Sequence, residues 1–165
     1  MSMVDTLNSS ALFEGLDNSH LEKIAVLCRS GSYREGTVIF REGDDADELY
    51  VLTEGRIALE MAVQPVPNRP AIPTAVEVVT KGECLGLSSL AEGMYTLSAR
   101  CMTPCTVLAI KGDLLKKAME EDCCLGYEVH KRLVRLVRQR LTNTRLRLTS
   151  GLGLILLGKE LGTSE

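Results

Sequence analysis

The sequence predicts a mainly β domain, built as a sandwich or barrel, with helices at its two ends. Between Gly31 and Val63, short β-branched and aromatic runs alternate with EG and EGDD turns. Strands that follow one another at intervals of about ten residues are typical of sandwiches and barrels rather than of parallel sheets. Helical spacing of apolar residues is found before this region and again from Asp113 onward.

Length and composition indicate one soluble domain with an appendage. The chain has 165 residues, of which 45% are hydrophobic, which is enough for one core and too little for two ordinary domains. Its longest apolar run, Leu152 to Leu157, is interrupted by Gly153 and is far shorter than the roughly 18 residues of a membrane span. The N-terminal MSMVDTLNSS lacks the basic flank and apolar core of a signal peptide. We therefore expect a cytoplasmic protein that makes no membrane contact.

The first helix is predicted from about Ser19 to Cys28. Leu21, Ile24 and Cys28 repeat at helical spacing, and the segment DNS offers three residues that can cap the helix. Strands are then expected as far as Val63.

A proline-rich segment interrupts the strands. Gln64 to Ala75 contains four of the five prolines, which predicts an extended hairpin loop at the surface because proline removes a ladder donor and fixes φ. Strands are expected to resume at Val76 to Thr80 and to continue from Thr96 to Ile110, and helical spacing returns at Asp113.

The long C-terminal helix is predicted from about Cys124 to Leu148. A single helix of this length needs somewhere to bury its apolar stripe, and a second copy of the chain would provide it. The alternative is that the stripe covers the chain's own sheet. We expect a homodimer, with these residues in the dimer helix: Val129, Leu133, Leu136, Val137 and Leu141.

Three parts of the chain are distinguished. Residues 1–122 are expected to form the β domain with its flanking helices, 123–150 the dimer helix and 151–165 an apolar tail. The tail is too apolar to stay in water, yet Gly151, Gly153 and Gly158 weaken a helix. As a hypothesis, it docks on the dimer mate or on a separate protein partner.

Charge is unevenly distributed along the chain. The first 128 residues contain 20 acidic and 11 basic residues, whereas 129–158 contains seven basic residues and no acidic one. Such a segment can mark a nucleic-acid surface. A helix with arginines opposite an apolar stripe is more often a solvated face or one that pairs with its own acidic body, and we favour that interpretation.

No catalytic or metal site is predicted. The six cysteines form no CxxC pair, which argues against zinc and iron–sulfur binding and favours buried, inert thiols, with Cys123 and Cys124 more exposed near a helix start. His20 and His130 have no evident nucleophile or carboxylate partner. The DDADE cluster lacks the glycine and terminal glutamate of an EF-hand loop and is interpreted as a solvated turn. No enzymatic activity is expected.

The order of elements resembles a known family. LFEGLD before the first helix, GTVIFREGDDADELYVLTEGRIAL with Gly36, Gly43 and Gly55, then TPCTVLAI and VHKRLVRLVRQRL, are similar to the cyclic-nucleotide-binding domain of the catabolite activator and protein kinase A regulatory subunit type. The resemblance covers about residues 11 to 145. It implies an eight-stranded antiparallel β-roll, jelly-roll-like, flanked by an N-terminal helix and a long C-terminal helix.

The resemblance also places the family's phosphate-binding cassette on CLGLSSLAEGMYTLSARC. In the family, a glutamate after the cassette glycine accepts the ribose 2′-hydroxyl, and an arginine pairs with the cyclic phosphate. Here Gly86 stands at the glycine, but Leu87 stands at the glutamate and Tyr95, or Thr96 if the loop is shifted by one, at the arginine. The degenerate pocket implied by this alignment consists of Gly86, Leu87, Ser88, Ser89, Leu90, Tyr95 and Thr96.

Three functions are weighed. The first is a regulatory module in signal transduction that does not bind cAMP in the usual way, with no cofactor or with another small-molecule effector. The second is a genuine cAMP or cGMP receptor that uses backbone and serine contacts. The third, a transcription regulator, needs a helix-turn-helix after the long helix, and only 17 residues follow Leu148. We favour the first.

Overall fold

The computed structural model describes residues 2–91 and 93–161, and of 151–161 it describes the backbone alone. Eight strands form the body, with two short helices before them and two helices after them. The elements are, in chain order, α1 (Met3–Asn8), α2 (Asn18–Ala25), β1 (Cys28–Tyr33), β2 (Val38–Phe40), β3 (Glu48–Glu54), β4 (Ile57–Val63), β5 (Ile72–Val79), β6 (Cys84–Leu85), a 3₁₀ helix (Leu87–Leu90), β7 (Ser98–Cys101), β8 (Cys105–Lys111), α3 (Gly112–Glu121) and α4 (Cys123–Leu161).

The strands form two antiparallel sheets of four. One sheet has the order β1-β8-β3-β6 and the other the order β2-β7-β4-β5. Every strand pair within them is antiparallel. The predicted eight-stranded antiparallel roll with a helix before it and a long helix after it is therefore confirmed.

Two apolar cores lie on opposite faces of the first sheet. Successive side chains of a strand point to opposite faces, and β3 shows this directly. Leu49 and Val51 belong to the core between the sheet and the helices, whereas Tyr50 and Leu52 belong to the core between the two sheets. Because both faces are covered, this strand is buried along most of its length.

The proline-rich segment is shorter than predicted. Strand β5 already begins at Ile72, and Pro73 pairs with Ala62 of β4, so the expected loop to Ala75 and resumption at Val76 are wrong at this end. A proline is accepted here because β5 is an edge strand of its sheet, where a missing donor can face away from the ladder.

The N-terminal helices also differ from expectation. Helix α1 was not predicted, and its N-cap Ser2 takes part in a capping box with Asp5. Helix α2 ends at Ala25 instead of Cys28, because Cys28 already pairs with Ile110 of β8. Asp17 is the cap of α2, and its carboxylate accepts a hydrogen bond from the His20 N–H at 2.9 Å.

Helix α4 begins at Cys123, close to the predicted start, and its backbone stays helical to Leu161, past the predicted end at Leu148. Leu125 and Val129 are fully buried in the core between the sheet and the helices. The side chains of 151–161, on which the tail hypothesis depends, lie outside the described part of the chain.

Arginines of α4 attach this helix to the body. Arg132 donates to the carbonyl of Glu14 at 2.7 Å, Arg140 to that of Cys84 and Arg147 to that of Val76. Part of the basic segment therefore faces the protein itself. Among the helices of residues 2–91 and 93–161, none combines the length and the apolar character that a membrane span requires.

Candidate functional site

The cassette segment connects β6 to β7. Gly86 begins its turn with φ 76°, a left-handed conformation that favours glycine. A Cβ atom at this position would lie 2.5 Å from the carbonyl oxygen of Glu48. Both the backbone angle and the close approach of β3 therefore require glycine here.

The 3₁₀ helix that follows Gly86 is held mainly by packing. Leu87 and Leu90 are half-buried against the core between the sheet and the helices. Ser89 is buried, and its hydroxyl donates to the Gly86 carbonyl at 2.8 Å. Ser88 lines a cavity instead. Leu87, which the resemblance aligns with the family's glutamate, has a side chain that cannot accept a hydrogen bond.

Tyr95, which the resemblance aligns with the family's arginine, is part of the core between the sheets. Its side chain is 5% exposed, and its ring stacks on Phe40 with centroids 3.8 Å apart. Its hydroxyl donates to the carbonyl oxygen of Glu48 at 2.8 Å and accepts from the Glu48 N–H at 3.0 Å. Burial raises the pKa of Tyr95. The phenol is therefore neutral, and its hydroxyl is engaged in hydrogen bonds with the backbone of β3.

The Glu48 carboxylate has its own partners, one on β1 and one on β3. Arg29 approaches both of its oxygens, with Nη2 at 2.6 and 2.7 Å, and the Tyr50 hydroxyl donates to Oε2 at 2.9 Å. Burial alone would raise the pKa of Glu48, but the hydrogen bonds from Arg29 and Tyr50 and the charge of Arg29 hold it below its usual value. This carboxylate is committed to an ion pair and does not line the cavity.

The cassette borders a cavity of about 100 Å³. This volume is below the roughly 300–1,000 Å³ of typical small-molecule sites, partly because Tyr95 and Phe40 fill the adjacent space. The lining is formed by Phe40, Leu59, Gly86, Leu87, Ser88, Tyr95, Thr96, Leu97 and Arg140.

Arg140 is a cavity residue that the sequence did not predict. It comes from α4, its guanidinium donates to the carbonyl of Cys84, and its Nε lies 3.5 Å from Oε1 of Glu77. Among the described residues that line the cavity it is the one charged side chain. A guanidinium thus lies beside the cassette, but it is contributed by the C-terminal helix.

Other charged or titratable side chains that could bind a ligand, Arg100 and His20, lie away from the cavity. Arg100, the nearest basic residue in the sequence, pairs with Glu60, with Nε 3.1 Å from Oε2. His20 lies between Asp17 and Asp122 on the helical side of the molecule. In the part of the chain that the structure describes, no cluster of His, Cys, Asp and Glu could hold a metal ion.

Five of the six cysteines are either buried or exposed, and Cys28 is half-buried. Cys84, Cys101 and Cys105 are buried, whereas Cys123 and Cys124 are exposed at the start of α4. Burial raises the pKa of Cys84 and of Cys101 to about 12, which keeps these thiols protonated and unreactive.

The residues predicted for the dimer helix lie on two faces of α4. Val129 is fully buried, and Leu133 and Leu136 are half-buried against the same core. Val137 and Leu141 are 51% and 48% exposed. Some residues of the predicted stripe therefore pack on the chain's own body, and others leave an exposed apolar face on α4.

Comparison with known proteins identifies relatives of this fold. A family model described as cyclic nucleotide-binding domain matches residues 31–122. A structure from Geobacter metallireducens GS-15, described as a candidate cyclic nucleotide-binding protein, is 30% identical with a TM-score of 0.73, and the match covers 86% of this chain and 99% of that one. No curated protein matches the sequence.

Two further solved structures share the fold. The N-terminal domain of a transcriptional regulator from Streptomyces coelicolor A3(2) is 25% identical with a TM-score of 0.68, over 82% of this chain and 94% of that one. A cyclic nucleotide-binding domain from Methylobacillus flagellatus KT is 19% identical with a TM-score of 0.75, over 90% of this chain and 82% of that one.

Proposed function

The chain belongs to the cyclic nucleotide-binding domain family, and we propose that it is a non-enzymatic regulatory module that does not bind cAMP in the family's usual way. Its roll and its long helix are retained, while the two side chains that the family uses for ribose and phosphate are replaced. An effector of this module is bound without a cassette carboxylate or a cassette arginine.

The burial of Tyr95 is the observation that carries this proposal. Replacing an arginine by a small uncharged residue would leave the space for a phosphate open. Tyr95 instead stacks on Phe40 and hydrogen-bonds twice to the Glu48 backbone. The residue aligned with the family's arginine is part of the core. This burial favours a pocket that no longer binds phosphate in the family's way.

The expected loss of affinity is large. A hydrogen bond to a charged group contributes about 1.5–3 kcal/mol, and a buried hydroxyl left without its partner costs about 1–3 kcal/mol. Together the two replacements weaken a cyclic nucleotide by about a hundredfold to ten-thousandfold. Binding in the micromolar range or tighter is therefore not expected.

Restoring the two family side chains tests this proposal. We expect the Leu87→Glu, Tyr95→Arg double variant to bind cAMP more tightly than the parent in calorimetric titrations at low salt. Because Tyr95→Arg removes a buried stack and two hydrogen bonds, thermal unfolding is measured first. The Leu87→Glu, Thr96→Arg variant changes an exposed neighbour instead and keeps Tyr95 in place.

Folded variants of both kinds that gain no affinity would argue that the pocket is closed to nucleotides for another reason. Parent protein that already binds cAMP at micromolar concentration would support the second function, a cyclic-nucleotide receptor that uses backbone and serine contacts.

A second copy of the chain is the proposed partner of α4. Support comes from the exposure of Val137 and Leu141 and also of Val134 and Leu148, which are 68% and 61% exposed. Along the helix, successive members of this set are three, four and seven residues apart, which is the spacing of an apolar helical seam. An uncovered seam of this kind is a liability in water, and association removes it.

A further inference from the structure

The cavity beside the cassette adjoins a larger groove. This groove has a volume of about 540 Å³, within the range of small-molecule sites. It lies between α4 and the sheet that contains β4 and β5, and it shares Thr96 and Leu97 with the cavity. Most of its lining is apolar, with Met61, Val76 and Leu148 as its other large apolar side chains.

The two spaces differ in chemical character. The small cavity contains the Arg140 guanidinium together with the hydroxyl-bearing residues Ser88 and Thr96. The groove offers apolar surface on both the helix and the sheet, and its charged lining residues are Glu77 and Arg147, whose guanidinium donates to the Val76 carbonyl. A ligand that fills both spaces needs a compact oxyanion at one end and an apolar body at the other.

We propose that the pocket binds an organic anion, a carboxylate or a phosphate monoester with an apolar body, whose oxyanion is held by Arg140 of α4. The proposal rests on the proposed function, because it places the anion on the helix arginine instead of on a cassette arginine. Ser88 and Thr96 can donate their hydroxyls to the same oxyanion. The apolar body lies along Leu97, Met61 and Val76.

Arg140 has donors available for this role. A guanidinium carries five N–H donors. The contacts of Arg140 to Cys84 and Glu77 are made by Nη2 and Nε, and Nη1 makes no hydrogen bond within the described residues. Its side chain is 24% exposed. The guanidinium is therefore partly shielded from water, and its attraction to a bound anion is screened less than at the surface. Charge-assisted hydrogen bonds to guanidinium are the strong class for carboxylates and phosphates.

Glu77 gives the proposal a distinguishing consequence. Its carboxylate lies 3.5 Å from Nε of Arg140 and also lines the groove. It therefore competes with an incoming anion for the guanidinium and repels it. Removing this charge while keeping the shape, as in Glu77→Gln, is expected to tighten anion binding, an effect that a purely structural role of Arg140 would not produce.

Three ten-carbon probes test the proposal by calorimetry at low salt. Decanoate and decyl phosphate carry an oxyanion, and decanol has the same apolar body without a charge. We expect both anions to bind the full chain more tightly than decanol. Arg140→Gln should weaken the anions by about tenfold or more, the size of one charge-assisted contact, and leave decanol unchanged. Glu77→Gln should tighten the anions several-fold.

Arg138→Gln is the matched control, because it removes an exposed charge from the same helix. Equal anion affinities of Arg140→Gln and Arg138→Gln, at equal thermal stability, would overturn the proposal, as would parent protein that binds none of the probes. A parallel cAMP titration separates the two claims. Tight cAMP binding by the parent contradicts the proposed function, whereas failure of the organic anions without cAMP binding contradicts only this inference.

Discussion

The Tyr95 hydroxyl lies 2.8 Å from the carbonyl oxygen of Glu48 and 3.0 Å from its backbone nitrogen. One phenol thus satisfies both backbone groups of the residue that begins β3. The same ring stacks on Phe40, 3.8 Å away. Tyr95 thus joins the cassette segment to the roll by hydrogen bonds and packing.

Replacing Tyr95 by phenylalanine should destabilise the protein while keeping the ring stack. The change leaves the Glu48 N–H and carbonyl without their partner, at a cost of about 1–3 kcal/mol. Urea unfolding of the variant measures this cost. Tyr127→Phe is the control, since Tyr127 is 67% exposed and its hydroxyl has no hydrogen bond within the described residues. Equal stabilities of the two variants would contradict the assigned role of the Tyr95 hydroxyl.

Gly86→Ala is expected to be more harmful than Gly36→Ala, although both glycines have a positive φ. A methyl group at Gly86 would meet the Glu48 carbonyl oxygen at 2.5 Å, whereas nothing lies within 4 Å of one at Gly36. Both changes incur about 1 kcal/mol of backbone strain, and the contact adds about 1–3 kcal/mol at Gly86 alone. Denaturant midpoints of the two variants measure the difference, and equal midpoints would refute the close approach.

The roll could be predicted from the sequence because its signals are local. Turn glycines, short β-branched runs and the position of the cassette all fall within a few residues of one another. The end of α2 was placed too late because Cys28 fits a helical stripe as well as it fits a strand. Its pairing with Ile110 decides between them, and a single-sequence pattern does not contain that contact.

The role of Arg140 could not be predicted for a similar reason. Its contact with Cys84 joins residues 56 positions apart, and no spacing rule connects them. A weaker signal was present. Arg132, Arg140 and Arg147 recur at steps of seven or eight residues, which places them on one face of a helix, and all three donate to backbone carbonyls of the body. Basic residues at that spacing, along a stripe that also buries leucines, indicate attachment rather than a solvated face.

Asp122 should make stability depend on pH in the acid range. Hydrogen bonds from Lys23 and from the Leu125 N–H lower the pKa of Asp122 from 3.8 to about 2. A folded-state pKa below the unfolded one means that the carboxylate stabilises the fold above pH 4 and loses this effect as the pH falls toward 2.

Asp122→Asn keeps an oxygen that can accept from the Leu125 N–H at the start of α4 and removes the charge. We expect the variant to be less stable than the parent at pH 7, with the difference disappearing near pH 2 in thermal unfolding. Asp45→Asn, at an exposed position, should show a much smaller change. A difference between Asp122→Asn and the parent that stays constant from pH 7 to pH 2 would contradict the assigned ion pair.

Charges introduced on the exposed apolar face of α4 should separate the proposed dimer. Light scattering is expected to give the parent twice the chain mass of 18.0 kDa and the Val137→Lys, Leu141→Lys variant the mass of one chain. The Gln139→Lys, Thr142→Lys variant adds the same charge at exposed positions on the other side of the helix and should remain a dimer. A parent of single-chain mass would contradict the proposed seam, and so would loss of the dimer in both variants.

Calorimetric titration of cAMP into the unaltered protein at low salt tests the central claim most directly. In the proposed alignment Leu87 and Tyr95 stand in place of the family's carboxylate and guanidinium, and Tyr95 is fixed in the core. We therefore predict no detectable heat of binding at micromolar cAMP. Saturable one-to-one binding in that range would contradict the account and identify the pocket as a cyclic-nucleotide site that works through backbone and serine contacts.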